Sequence, residues 1–338
     1  MLKEIEMRSD FLSTPIETIY FGGGTPSLLD QLELGQLLDK IGEHHTISSS
    51  AEITLEANPD DLSLKKLKSL KRAGINRLSI GIQSFRQEDL ELMNRAHSAL
   101  EARQCVDLSQ EAGFKNISID LIYGIPKLNS GAWENNLRVA LDLNVQHISA
   151  YCLTIEKKTV FDNWQKTNRI TLPGDELMLE QFTQMKTMLE GHGFEHYEIS
   201  NFGKPDFFSK HNSAYWFQKP YLGIGPSAHS FKGNIRSWNI ASNPGYIKAL
   251  GAGQSLSKQE TLSAKDQFNE LLLTRLRTKW GVSKIELQDI DGSLYKEFRV
   301  NSESWINKEM LIDTGAHLTL AKRGIFIADA VISDMFVI

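Results

Sequence analysis

The chain has 338 residues, 41% hydrophobic and 23% charged, with a formal net charge of −5, a profile that fits a globular protein with room for one large domain and a small one. Lys and Arg are scattered rather than run together, so nothing indicates a nucleic-acid surface, and no stretch approaches the ~18 consecutive apolar residues of a membrane-spanning helix. The opening residues, Met1 to Asp10, lack the apolar core of a secretory signal, and only two widely spaced cysteines, Cys105 and Cys152, are present; a reduced, cytoplasmic setting is expected.

In chain order, short β-branched runs alternate with helical patterns. Strands are predicted at Thr18–Phe21, Glu52–Ala57, Arg77–Gln83, Asn116–Tyr123 and His147–Leu153, with amphipathic helices at Leu29–His45, Asp60–Ala73, Gln87–Ala112 and Gly131–Leu143. Strand starts recur every ~25 to 40 residues, the repeat of βαβ units and a parallel sheet. Gly74 and Gly113 follow alanines where two helices must stop. Asp60 and Asp61 precede a helix and read as capping residues. Beyond Leu153 the rhythm changes. Residues 155–255 hold one helix, Asp175–Gly191, and are otherwise loop-rich. From about Leu256 a further unit begins, with a helix at Gln267–Trp280 and a final strand at Val331–Ile338.

Two groups of residues point to chemistry. Gly22, Gly23 and Gly24 follow the first strand, where a Cβ-free backbone lets N–H and C=O groups approach a small polar ligand, although a tight βα turn needs glycine too. Strands buried on both faces of a parallel sheet should be continuously apolar. Glu56, Gln83 and Asp120 break that rule near strand C-termini, where such sheets gather their ligands. The second group is His211-Asn-Ser-Ala-Tyr215-Trp216, an imidazole beside two flat rings, with His229 in a Gly-Pro-Ser-Ala-His turn. It suits an aromatic macrocycle with axial imidazole, although a hydrogen-bonded histidine at the barrel rim amid core aromatics is the plainer reading of these residues by themselves. A phosphate-binding Walker loop and a dinucleotide fingerprint are both absent, because the glycines are contiguous and no Lys follows them. Cys152 on an apolar strand reads as a small hydrophobe.

Taken together, Tyr20-Phe-Gly-Gly-Gly-Thr-Pro-Ser27, Glu52-Ile-Thr-Leu-Glu-Ala-Asn-Pro59, Arg77-Leu-Ser-Ile-Gly-Ile-Gln-Ser-Phe85, Asn94-Arg-Ala-His97 and Ile119-Asp-Leu-Ile-Tyr-Gly-Ile-Pro126 closely resemble radical S-adenosylmethionine (radical SAM) proteins of the oxygen-independent coproporphyrinogen III oxidase-like branch. Within that branch, the segments at His211–Trp216 and Gly225–His229 are similar to the HemW-type haem chaperones. The resemblance implies an α/β fold: a partial (β/α)6 barrel lacking its first βα element, over residues 1–255 with the loop-rich extension from about 155, then a small, mainly helical HemN-type C-terminal domain over 256–338. It implies S-adenosylmethionine, a [4Fe–4S] cluster and haem as cofactors or cargo. By position, Gly23, Gly24 and Thr25 would meet the methionine amino group and Arg95 its carboxylate. Glu56, Gln83 and Asp120 would bind further polar groups, the last two at the ribose, and Thr154 occupies another matching position. His211 and His229 would face or ligate haem, with Tyr215 and Trp216 packing on it. The expected function is haem chaperoning, with haem-acceptor proteins as partners; the alternative is an oxidoreductase that oxidatively decarboxylates coproporphyrinogen III. Neither cysteine fits the family's CxxxCxxC motif, which would stand upstream of Gly22. The expectation is therefore a truncated reading frame with no cluster ligands and no radical chemistry of its own.

Overall fold

The computed structural model describes residues 1–255 and 257–338. The expected boundary before a C-terminal unit falls on Leu256, outside the described residues. In chain order the elements are α1 (Leu2–Met7), β1 (Ile16–Phe21), α2 (Gln31–His44), β2 (Ile47–Ala57), α3 (Leu64–Arg72), β3 (Arg77–Gln83), α4 (Gln87–Leu92), α5 (Ala99–Glu111), β4 (Ile117–Tyr123), α6 (Ser130–Asp142) and β5 (His147–Cys152). Then come α7 (Val160–Lys166), α8 (Asp175–Gly191), β6 (Glu195–Glu198), β7 (Asn201–Gly203), α9 (Lys210–Trp216), β8 (His229–Lys232), β9 (Ile235–Asn239), α10 (Asn243–Gly251) and β10 (Ser257–Thr261). The chain ends with α11 (Ala264–Arg275), β11 (Val282–Ser283), α12 (Lys284–Ile290), α13 (Gly292–Asn307), β12 (Leu311–Asp313), β13 (His317–Leu320), α14 (Lys322–Ile325) and α15 (Ala328–Asp334). No helix among the described residues is long and apolar enough to cross a membrane.

The principal sheet has seven strands in the order β1-β2-β3-β4-β5-β7-β6. From β2 to β5 the pairing is parallel and follows chain order, the outcome of successive βα units. These strands form the curled half-barrel expected from the sequence. The hairpin β6–β7 adds itself antiparallel to β5. Two compact units emerge. The barrel unit holds Ile19–Gln31 and Glu52–Ser209, and the terminal unit holds Met1–Thr18, Leu32–Ala51 and Lys210–Ile338.

In the barrel unit the two faces of the sheet differ sharply. Leu55, Leu78, Ile80, Ile117, Ile119 and Ile148 share one face through the strand register and are fully buried. Helical residues such as Leu67, Leu70, Val106 and Leu137 are fully buried as well, each such side chain stabilising the fold by about 2 kcal/mol. The other face is polar. Thr54 pairs with Arg77, and Glu56, Ser79, Ser118 and His147 stand side by side across four strands. His147 bridges this row, with Nδ1 bonded to Ser118 Oγ at 2.7 Å and Nε2 to Tyr197 Oη at 2.7 Å. Its complete burial, with the Arg77 charge adding to the effect, holds the imidazole well below its ordinary pKa and so neutral.

The terminal unit is organised around a buried carboxylate. Glu4 on α1 is 1% exposed. It accepts hydrogen bonds from Gly225 N–H at 2.8 Å, Asn239 Nδ2 at 2.6 Å and Tyr246 Oη at 2.5 Å, with Arg8 Nη1 at 3.8 Å. The N–H of Gly225 thus anchors the Gly-Pro-Ser-Ala-His turn, in which Gly225 and Ser227 adopt φ of +112° and +62°. The chain approaches so closely here that a Cβ on Gly223 would fall 2.1 Å from the His229 carbonyl oxygen. Strands β8, β9 and β10 form an antiparallel sheet, and β11, β13 and β12 form another among the C-terminal helices.

Several expected elements are corrected. The single helix over Gln87–Ala112 is two, α4 and α5, separated by a turn in which Asn94 takes a φ of +52° and after which Ser98 starts α5 with a capping box. Val331–Ile338 is not a strand: α15 covers Ala328–Asp334, burying Ala328, Val331 and Ile332, and Met335 just past its end is buried in the same helical spacing. Residues 155–255 are richer in structure than a loop-dominated reading allows, holding α7 to α10 and β6 to β9. Asp60 and Asp61 lie in a short 3-10 turn; Asp61 accepts from Ser27 Oγ at 2.6 Å, and Ser63 caps α3 instead.

Candidate functional site

Residues from the strand tips β2, β3 and β4 gather in the barrel unit. The strand β1 is followed by Gly22–Gly24, with φ of +72° at Gly23 and +63° at Gly24, values that other residues adopt only at a cost of about 1–2 kcal/mol. The carboxylate of Glu56 is pinned between this ribbon and β1: Gly23 N–H donates to Oε2 at 3.2 Å and Tyr20 Oη to Oε1 at 2.6 Å. A Cβ on Gly22 would lie 3.1 Å from Glu56 Oε1.

Gln83 closes β3 with a φ of +68°, and the β3–β4 register slips between Ile80 and Gln83. That irregularity turns the side chain back across Gly81, where a Cβ would meet Gln83 Nε2 at 2.9 Å and Arg95 Nη2 at 3.4 Å. Arg95 extends from the turn between α4 and α5, donating to Asn58 Oδ1 at 3.0 Å and Gly81 O at 3.2 Å. Asp120, on β4 beside Ser149 of β5, has its pKa pushed up to about 6. Burial is the main cause and Glu56 adds to it, while Ser149, Arg77 and Arg95 oppose it.

Glu56, Gln83, Arg95, Asp120 and Gly23 are therefore brought to one end of the polar sheet face. Gly24 and Thr25 continue the ribbon as exposed residues, Thr25 standing just before a 3-10 turn. Thr154 follows β5 and is exposed, its hydroxyl donating to Cys152 O at 3.4 Å. The sequence reading missed the rest of the polar wall: Arg77, Ser79, Ser118, His147 and Ser149. The available signal was the period-two alternation inside Arg77–Gln83, Ile117–Tyr123 and His147–Cys152, where every second residue on the face is polar or glycine except Ile122.

The donor set fits an adenosyl amino acid: an arginine fork for a carboxylate, and two carboxylates for an ammonium or ribose hydroxyls. It does not fit an iron–sulfur cluster. Cys105 is buried on α5 with its thiol donating to Ala102 O, and burial pushes its pKa up to about 12. Cys152 is half-buried against Met178, and burial raises its pKa as well. Among the described residues no group of three His, Cys, Asp or Glu is placed to hold a metal ion.

The aromatic candidates lie in the terminal unit. On α9, His211 and Tyr215 meet edge-on with ring centres 5.0 Å apart, and His211 Nδ1 is bonded to Thr18 Oγ1 at 3.0 Å. Tyr215 meets Tyr221 at 4.6 Å, and Tyr221 packs on Phe231 of β8 at 6.2 Å. Trp216 presents a buried indole N–H with no hydrogen-bond partner among the described residues. His229 is exposed on β8 and lies nearly parallel to Trp238 of β9, at 6.0 Å and 24°. His211 and Tyr215 are thus in direct contact, and β8 carries His229 two residues from the end of the same aromatic tract.

The Radical SAM superfamily model matches residues 2–140. The chain is 39% identical over 271 residues to the heme chaperone HemW of Bacillus subtilis, covering 80% of this chain and 72% of that protein. It is 34% identical over 321 residues to the heme chaperone HemW of Lactococcus lactis, covering 95% and 84%. Among solved structures, coproporphyrinogen III oxidase (HemN) from Escherichia coli superposes with a TM-score of 0.82 at 20% identity over 99% of this chain and 81% of that one.

Proposed function

Because this chain belongs to the HemW family of radical SAM proteins, we propose that it binds haem and passes it on, with the aromatic tract of the terminal unit as the docking region. The observation that carries this reading is the unbroken contact series His211–Tyr215–Tyr221–Phe231. It offers a nitrogen ligand and flat apolar rings in one place, the two things an iron macrocycle recognises. His211 and His229 are the imidazoles that lie along it, Tyr215 supplies a ring face, and the Trp216 N–H a donor. Haemin titrated into the protein should give a saturable Soret band that His211→Ala weakens strongly. An unchanged spectrum at stoichiometric haemin would refute the proposal.

In the barrel unit, Gly23, Gly24, Thr25, Glu56, Gln83, Arg95, Asp120 and Thr154 are proposed to bind S-adenosylmethionine, whose role in radical SAM chemistry is to supply the adenosyl group. On this reading Arg95 holds the amino-acid carboxylate, Glu56 keeps the Gly23 ribbon in place, and Asp120 accepts from ribose hydroxyls. Two free cysteines suit a reducing, cytoplasmic compartment. A porphyrinogen-decarboxylating activity has no comparable support, since a 20% identical structural relative speaks for the fold alone.

A further inference from the structure

We infer that the open face of the β8–β9–β10 sheet is the seat of the flat, carboxylate-bearing macrocycle, with Trp238 as its stacking surface and Lys258 as the partner of a carboxylate. This deepens the haem reading and rests on it. In this sheet His229 pairs with Trp238, and Trp238 pairs with Lys258. Residues paired in this way point to the same face, so imidazole, indole and ammonium stand in one straight row across three strands. Neighbouring strands lie ~4.8 Å apart, so the row is about 10 Å long, comparable to the breadth of a tetrapyrrole.

The row is open where the next one is closed. Two residues along, the same face carries Phe231, Arg236 and Glu260. That second row is covered: Tyr221 packs on Phe231, and Arg236 is held by Glu270 at 2.8 Å and Glu260 at 3.5 Å. By contrast His229 and Lys258 are exposed, Trp238 is half-buried, and no ion pair of Lys258 is found among the described residues. Chemistry then assigns the parts. A tetrapyrrole presents a large π-face, which Trp238 can stack, a metal, which His229 can ligate, and peripheral carboxylates, which Lys258 can neutralise. Glu4, through Gly225, and the tight approach of Gly223 to the His229 carbonyl fix the strand end that carries the imidazole.

Haemin, metal-free protoporphyrin IX and haemin dimethyl ester are the probes, read by Soret absorbance and tryptophan quenching. Trp238→Ala should weaken haemin and metal-free porphyrin alike by about tenfold, with Trp238→Phe recovering most of the loss. Lys258→Glu should weaken haemin but leave the diester unaffected. His229→Ala should shift the haemin Soret maximum and spare the metal-free ring. If Trp238→Ala and Lys258→Glu bind haemin as the parent does while His211→Ala does not, the haem reading stands and this seat is wrong. If the parent protein itself binds no haemin, both fall. Far-UV circular dichroism of each variant separates a lost contact from a lost fold.

Discussion

Asp120 gives the most direct handle on the barrel site. Its carboxyl pKa sits at about 6, chiefly because it is buried and has Glu56 as a neighbour, against the opposing pull of Ser149, Arg77 and Arg95. Only the ionised form accepts two hydroxyl donors. At pH 7.5 more than nine-tenths of the carboxyl is ionised and at pH 5 about one-tenth, so affinity for a ribose should fall roughly tenfold, or ~1.4 kcal/mol, over that span. For folding the sign is reversed. A carboxyl raised from 3.8 to about 6 binds its proton more tightly in the native state, so its contribution to stability declines as pH rises from about 4 to 6. The assay is calorimetric titration of S-adenosylhomocysteine, which carries the same ribose and amino acid, at half-unit pH steps from 5 to 7.5. The parent should lose affinity progressively below pH 6.5. Asp120→Asn should bind weakly and without that slope. A flat profile in the parent, or an unchanged slope in Asp120→Asn, would refute the assignment.

Three further outcomes follow from named contacts. Gln83→Gly removes a side chain held at a φ of +68°. It should leave the melting temperature level or slightly raised, since about 1 kcal/mol of strain is relieved, while S-adenosylhomocysteine binding drops; a fall in both would show that Gln83 is structural. Glu4→Gln replaces an acceptor of three hydrogen bonds with an amide that must point one N–H group at a donor. A cost of about 2–3 kcal/mol, seen as a thermal shift near 5 °C, is expected, and a shift below 1 °C would contradict it. Gly223→Ala forces a Cβ to within 2.1 Å of the His229 carbonyl, so the strand must move. Scanning calorimetry should find a clear loss of stability, and parental stability would mean the approach relaxes at no cost.

Much of the barrel was legible because strands and crossing helices repeat. Arg77–Gln83 was located to the residue, and Glu56, Gln83 and Asp120 announced themselves as polar groups in apolar strands. What escaped notice was the remainder of the same wall. Ser79, Ser118 and Ser149 are small enough to pass as neutral strand residues, and Arg77 and His147 sit at strand starts, where charge is unremarkable. Their common face becomes visible only once the register sets Glu56, Ser79, Ser118 and His147 side by side. The break between α4 and α5 was hidden because the helical pattern continues across it. Asn94 can adopt a left-handed conformation with little strain, and this break is what frees Arg95 to reach Gly81. At the C-terminus, the β-branched Val331 and Ile332 suggested a strand, but burial at every third and fourth position made a helix. In the terminal unit the aromatic tract depends on Tyr221, a residue outside any motif, and on pairings separated by loops.

The carboxylate of Glu4 carries a consequence for the order of events in the cell. Its three hydrogen-bond donors lie 221, 235 and 242 residues downstream. At ~5–20 residues per second, a ribosome needs some 10–50 seconds to deliver them. Throughout that interval α1 has no completed pocket to enter, while the segments that will form the half-barrel emerge and can pair among themselves. Locking of α1 therefore comes late, long after its own residues have been made and only once its distant partners have followed. A nascent polypeptide stalled before residue 225 should leave α1 open to protease attack, whereas release of the finished chain should seal it.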